Sequence, residues 1–246
     1  AGDADTTAGQ VTFILTSTSN GACAAATDTM LLEIGPGIFV EAGPAQTICA
    51  NIIDVNLTGS VAGGTTNTGI WTSSNGDGTF DSDVSLTTIY HPSAADIANG
   101  TTTLYLTSTN NVACNPVVDS LVLTVNTAIV VNGGGIATVC ANNPTVALGG
   151  AVSGFTTSGL WSVAVGGDGT FSDPLTVLAN NYTPGPNDTT LGSIDVILES
   201  TNMGACNVVT DTVRITITDA PFFNPIATIT VCADTPTVAV VATDNG

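Results

Sequence analysis

At 246 residues and 43% hydrophobic content, the chain can bury a core, which excludes an intrinsically disordered polymer. Charged residues make up only 9% of it, there is no lysine, Arg214 is the one arginine, and the net charge is −19. That balance excludes nucleic-acid binding and repels an anionic membrane surface, because nothing is available to neutralise phosphates. In chain order, the apolar residues fall at every second position. Val11, Phe13 and Leu15 predict one strand, and Met30, Leu32 and Ile34 the next. Val55 and Leu57 follow, then Trp71 in GIWTSSNGDGTF, then Tyr90 ahead of a short turn. Thr102, Leu104 and Leu106 predict a further strand, and Leu121, Leu123 and Val125 another. The series then starts again: Val146 and Leu148, Trp161, Tyr182, Ile194 to Leu198, Val213 to Ile217, and finally Val238 and Val240. Residues that make good surface helices are scarce, whereas Thr, Val, Ser, Asn and Gly favour strands and turns.

The restart is an internal repeat. SNGACAAATDTMLLEI at 19–34, NNVACNPVVDSLVLTV at 110–125 and NMGACNVVTDTVRITI at 202–217 align without gaps. TICANIIDVNL at 47–57, TVCANNPTVAL at 138–148 and TVCADTPTVAV at 230–240 form a second aligned set. Asp5, Asp96 and Asp188 are 91 and 92 residues apart, as are Gly9, Gly100 and Gly192. This divides the chain into the C-terminal part of a module (1–35), complete modules at 36–126 and 127–218, and the N-terminal part of a further module (219–246). Starting and stopping inside modules, the chain reads as an excerpt of an elongated array. Its joints are rich in Gly, Pro and apolar residues, which predicts stiff junctions.

About seven short runs per module, with turn signals roughly every 8–12 residues, predict an all-β fold. The architecture expected is an immunoglobulin-like β-sandwich, with Trp71 and Trp161 as core residues of its third strand. Tyr90-His-Pro-Ser-Ala-Ala-Asp and Tyr182-Thr-Pro-Gly-Pro-Asn-Asp would form the corner tying the two sheets together. Arg214 falls on the outward face of the last strand, and His91 is replaced by Thr183 in the next module.

Six regularly spaced cysteines imply disulfides in an oxidising, extracellular setting. Pairing within a module gives Cys49–Cys114 and Cys140–Cys206; pairing across a junction gives Cys23–Cys49, Cys114–Cys140 and Cys206–Cys232, each 26 apart. Self-contained modules favour the first set, although an immunoglobulin topology puts the first and last turns at opposite ends. Either bridge would contribute about 2–4 kcal/mol. Zinc is not expected, because there is no Cys-x-x-Cys pair.

Few segments invite chemistry. Asp77, Asp81 and Asp83 alternate in Asn75–Asp83 as calcium ligands do, but a Gly-rich turn explains the same spacing. No cofactor other than that calcium is expected. One histidine, not kept between modules, cannot build a repeated Ser-His-Asp site, so no enzyme activity is expected. Lysine-dependent isopeptide cross-links are impossible. Asn-x-Ser/Thr sequons at Asn56, Asn99, Asn181 and Asn187 are expected by chance in a Thr-rich chain.

The phrases TVCANNPTVALGG, GLWS…GDGTF, YHPSAADIANGTTTLYLTSTNN and ACNPVVDSLVLTV, spread over essentially all 246 residues, resemble the repeats of large Bacteroidetes cell-surface adhesins. The group they are most similar to is the SprB-like gliding-motility adhesins of type IX secretion. The resemblance implies a cell-surface filament, with the repeats as stalk between neighbouring modules of one chain, serving surface adhesion and gliding. A module that itself grips polysaccharide or substratum is the alternative. Neither reading involves nucleic acid or membrane insertion. The Asp-Ser/Thr pairs also resemble a Bacteroidetes O-glycosylation motif, which makes Thr6, Thr29, Ser120, Thr189 and Thr212 candidate acceptors.

Overall fold

The computed structural model describes residues 2–52, 54–64, 66–112, 114–176, 178–222, 228–234, 237 and 239. Val238 and Val240, expected to open a further strand, lie outside the described residues. The chain divides into two units, Ala1–Thr127 and Ala128–Gly246.

The first unit opens with helix α1 (Asp3–Ala8) and a hairpin, β1 (Gln10–Thr16) and β2 (Thr27–Glu33). It continues through β3 (Phe39–Glu41), β4 (Gln46–Cys49), β5 (Val55–Thr58), β6 (Ser60–Ala62), β7 (Thr68–Ser73), β8 (Thr79–Phe80) and β9 (Thr87–His91). Helix α2 (Ala94–Asn99), β10 (Thr101–Thr109) and β11 (Val118–Asn126) complete it. One layer is a four-stranded sheet in the order β4-β11-β10-β7, and the other comprises β5-β9-β8 and the pair β3-β6. All pairings are antiparallel except β4 with β11, which run parallel with Cys49 beside Asn126.

The second unit repeats the plan. Its elements are β12 (Val130–Asn132), β13 (Ala137–Cys140), β14 (Val146–Gly149), β15 (Ala151–Ser153), β16 (Gly159–Val163), β17 (Thr170–Phe171), β18 (Ala179–Thr183), α3 (Pro186–Leu191), β19 (Ser193–Ser200) and β20 (Thr210–Thr218). The large sheet is β13-β20-β19-β16, faced by β14-β18-β17 and the pair β12-β15. Here too the first strand of the large sheet is parallel to the last, with Cys140 beside Thr218.

Period-two patterning decides what is inside. Leu104, Leu106, Leu121, Leu123 and Val125 are buried with Val55, Leu57, Trp71 and Tyr90 in the first core. Val196, Leu198, Val213, Ile215, Trp161 and Tyr182 are buried in the second unit. Each tryptophan sits opposite a leucine of the neighbouring strand, Trp71 facing Leu106 and Trp161 facing Leu198. Their indole N–H groups are satisfied too, donating to the carbonyls of Leu86 (3.4 Å) and Leu178 (3.1 Å).

The hairpin at 1–35 departs from the expected burial. Phe13 is 49% exposed, Leu15 75% and Met30 60%. The alternation is the same as in the complete modules, but two strands form one layer. A strand face becomes core only when a second sheet covers it.

Truncating Trp161 to alanine should cost about 3–5 kcal/mol, since the indole is fully buried. The second unit's thermal transition should fall sharply while the first unit's is unchanged, which calorimetry on the two-unit protein would resolve.

Candidate functional site

The strongest polar constellation in each unit is a buried tyrosine–aspartate pair. Tyr90 ends up inside because β9 alternates, and α2 turns Asp96 back towards it. The Tyr90 hydroxyl donates to Asp96 Oδ2 at 2.7 Å, and both residues are fully buried. Asp96 also accepts from the Ser93 N–H (2.9 Å) and the Asn75 side-chain amide (2.8 Å), while its own N–H donates to Ser93 Oγ (3.0 Å). A buried carboxylate needs such partners to remain charged.

The second unit solves the same problem with other atoms. Tyr182 donates to Asp188 Oδ2 at 2.7 Å, and the Gly185 N–H donates at 3.0 Å. Position 166 is glycine, so the donors that replace Asn75 are the backbone N–H groups of Asp168 and Gly169. Gly185 replaces Ser93 and has no side chain to cap α3. Asp168 takes that part, accepting from the N–H groups of Asn187 (3.1 Å) and Asp188 (3.4 Å). The glycine of the GDGTF turn is a packing requirement: a Cβ on Gly78 or Gly169 would run into the ring and hydroxyl of Tyr90 or Tyr182. Both helices then end at a left-handed glycine, Gly100 and Gly192, each with φ near 72°.

Burial and the bond to Asp96 push the Tyr90 hydroxyl up to about 12, and burial with the bond to Asp188 raises Tyr182 further. Burial works against the charge on Asp96. The hydrogen bonds from Tyr90, Ser93 and Asn75 outweigh it and hold the carboxyl below the ordinary carboxylate range.

The alternating acids do not come together. Asp81 binds His91 Nε2 at 2.9 Å, on whose other side Asp54 meets Nδ1 at 3.0 Å. Among the described residues, no group of three acids, histidines or cysteines could hold a metal ion. The bond to Asp81, opposed by partial desolvation and aided by Asp54, raises His91 above the ordinary histidine value. Arg214 lies outward and pairs at the surface with Asp195 (3.2 Å).

The hydroxyl candidates split into two groups. Thr29, Ser120 and Thr212 are exposed on the last strand of their modules. The preceding acids have structural work: Asp119 and Asp211 accept the N–H groups of Ala42 (2.7 Å) and Gly133 (2.8 Å). Thr6 and Thr189 lie in short helices, where their hydroxyls donate to the carbonyls of Asp3 and Gly185.

The cysteines correct the preferred intramodule pairing. Cys49 adjoins Asn126, the last residue of β11, whereas Cys114 lies in the loop before that strand begins. Eight residue steps at about 3.3 Å put roughly 26 Å between those two ends. A disulfide spans only about 4.4–6.8 Å between Cα atoms. Cys140 and Cys206 stand in the same relation along β20. Parallel pairing of the first and last strands causes this, and sequence spacing does not reveal it. The 26-residue pairing is not made either: Cys23, Cys114, Cys140 and Cys232 are thiols, while Cys49 and Cys206 are disulfide-bonded.

Comparison with solved structures places the fold. Extracellular domains 3–5 of Drosophila OTK match 80% of this chain and 68% of their own, with a TM-score of 0.50 at 10% identity. Titin domains I67–I69 (TM-score 0.45, 15% identity, 78% and 69% covered) and Sidekick-1 immunoglobulin domains 1–4 (0.44, 12%, 82% and 57%) are also similar. No family model and no curated protein matches. The chain is an all-β array of tandem immunoglobulin-like β-sandwich modules.

Replacing Tyr90 by phenylalanine should destabilise the first unit by about 1–3 kcal/mol, because a buried carboxylate loses a donor. Tyr90 binds its proton more tightly folded than unfolded, so wild-type stability should fall as pH rises from 10 towards 12. Denaturant titrations of both proteins across that range would show the loss in the wild type and a weaker one in Tyr90→Phe. His91 should titrate above a free histidine in an NMR experiment, and move back down in Asp81→Asn. Its stabilisation is full below the free histidine value and disappears as pH rises through the folded one.

Proposed function

We propose that this chain is a length of stalk from an extracellular surface adhesin, in which identical scaffolds hold a binding tip away from the cell. The observation that carries this reading is the contrast between what the two modules keep and what they exchange. The tryptophan, the tyrosine–aspartate corner and the buried strand faces are kept. The exposed groups are not: Asp54, Asp81 and His91 correspond to Thr145, Ser172 and Thr183, and Thr145 lies 3.3 Å from Thr183 where the acid–histidine contact had been. A binding face repeated for avidity would keep its exposed chemistry as well as its core. No helix among the described residues is long and apolar enough to cross a membrane. The acidic, lysine-free composition fits a non-sticky exterior, and no catalytic role is assigned to any residue.

The resemblance of the repeats to SprB-like Bacteroidetes adhesins supports a finer reading: type IX secretion and a part in gliding motility. Residues 36–218 should give no signal above background on a glycan array. In negative-stain images, the native filament should lengthen by about 35–40 Å for each module. A specific polysaccharide retained by those residues would assign adhesion to the modules themselves.

A further inference from the structure

We propose that the outer face of the β4-β11-β10-β7 sheet is a surface for lateral self-association, on which the same face of a second copy packs. The surface belongs to module 36–126 alone and does not depend on the stalk reading.

The face is neutral in a chain that is not. The 246 residues carry 20 acids against one arginine. Among the described residues, no outward position of these four strands is charged. Tyr105 sits between Ser120 and Thr72, and Thr107 between Val118 and Ile70. Tyr105, Val118 and Val122 are exposed. The module's acids are held off this face. Glu41 lies on β3, Asp54 precedes β5 and Asp81 follows β8, all in or beside the smaller layer. Asp96 is buried at the corner, and Asp119, on β11 itself, turns inward to accept the Ala42 N–H. Asp77 is in the turn after β7, and Asp83 stands at the rim, its carbonyl accepting the Trp71 N–H at 2.7 Å.

The second unit does not share the face. Where the first has Thr103 opposite Val122, the second has Asp195 opposite Arg214, and Glu199 takes the place of Thr107. The inward alternation is the same in both sheets, so the neutral face is not a by-product of the fold.

Charge selects the occupant. Two copies, each with a net charge of −19, repel wherever acids meet acids. A carboxylate drawn into a dry contact also loses its water. Neither cost arises on the neutral face, and a twofold axis would set the hydroxyls and apolar groups of one copy against those of the other. Sheets stack face to face about 10 Å apart, a gap that valine and threonine side chains fill. Four strands about 4.8 Å apart and up to roughly 30 Å long would bury on the order of 1,000 Å² over both copies, the size of a weak, reversible contact. Neighbouring arrays on one surface would sum such contacts.

Sedimentation velocity on the 246-residue protein, with its free thiols alkylated, should show a monomer–dimer equilibrium. Screening of like charges should tighten it by roughly threefold or more between about 0.05 and about 0.5 M salt. Val122→Asp and Ser120→Asp each place a carboxylate at an exposed position of the face. Each should weaken the dimer at least about tenfold while the first unit's thermal transition stays in place. Thr212→Asp, the same change at the matching position of the second unit, should leave the dimer constant unaltered. A protein that stays monomeric up to millimolar concentration would overturn the proposal. So would an equilibrium that weakens with salt, or one that survives Val122→Asp and is lost in Phe13→Asp, which assigns self-association to the exposed hairpin. Retention of a monomeric protein on a neutral polysaccharide, abolished by Val122→Asp, would overturn it too, giving the face to a glycan.

Discussion

The hydrogen bond between a buried tyrosine and a buried aspartate is the contact on which each module is organised. Tyr90 and Tyr182 stand at the ends of strands in the smaller layer, and Asp96 and Asp188 begin the turns that carry the chain into the larger one. A charged group taken out of water must be fully satisfied. The corner therefore dictates its surroundings: a glycine against the ring, a capped single-turn helix, a left-handed glycine to end it, and a donor supplied from the preceding loop. The modules differ in which atoms meet these demands, yet each oxygen is met.

That hierarchy explains what could be read from the sequence. Alternation placed Leu104, Leu123, Val196 and Ile215 inside, because on a pleated strand the side-chain period leaves no other choice. Trp71, Trp161 and the tyrosine corner were legible from their spacing alone. The same alternation misjudged Phe13, Leu15 and Met30, whose burial depends on a second layer and not on their own strand. The alternating acids at 75–83 were open to two readings, a ligand loop and the favoured Gly-rich turn. Asp81 turned out to face a histidine, and the turn glycine Gly78 to lie against Tyr90. A turn that buttresses a corner and a turn that cradles an ion share a composition, and only the contacts separate them. The cysteine spacing was open to several pairings because sequence distance carries no sense of strand direction.

The loops that support the buried corner differ between the two modules of this chain. Asp77 and its counterpart Asp168 are both exposed, and Asp168 caps a helix. Asn75, which completes the corner in one module, is Gly166 in the next, where backbone donors take over. Substitution at one site is absorbed by a neighbour, so the scaffold tolerates drift that would abolish a catalytic centre.

The parallel pairing of β4 with β11, and of β13 with β20, also bears on load. The chain enters a module near the start of the first of these strands and leaves from the end of the second. Tension along the chain then slides the two strands past one another in shear, so that their hydrogen bonds must give way together and not one at a time. A ladder loaded in this way resists far more force than a hairpin peeled from its open end. Four residue pairs between the first and last strands of each unit would then carry such a load together.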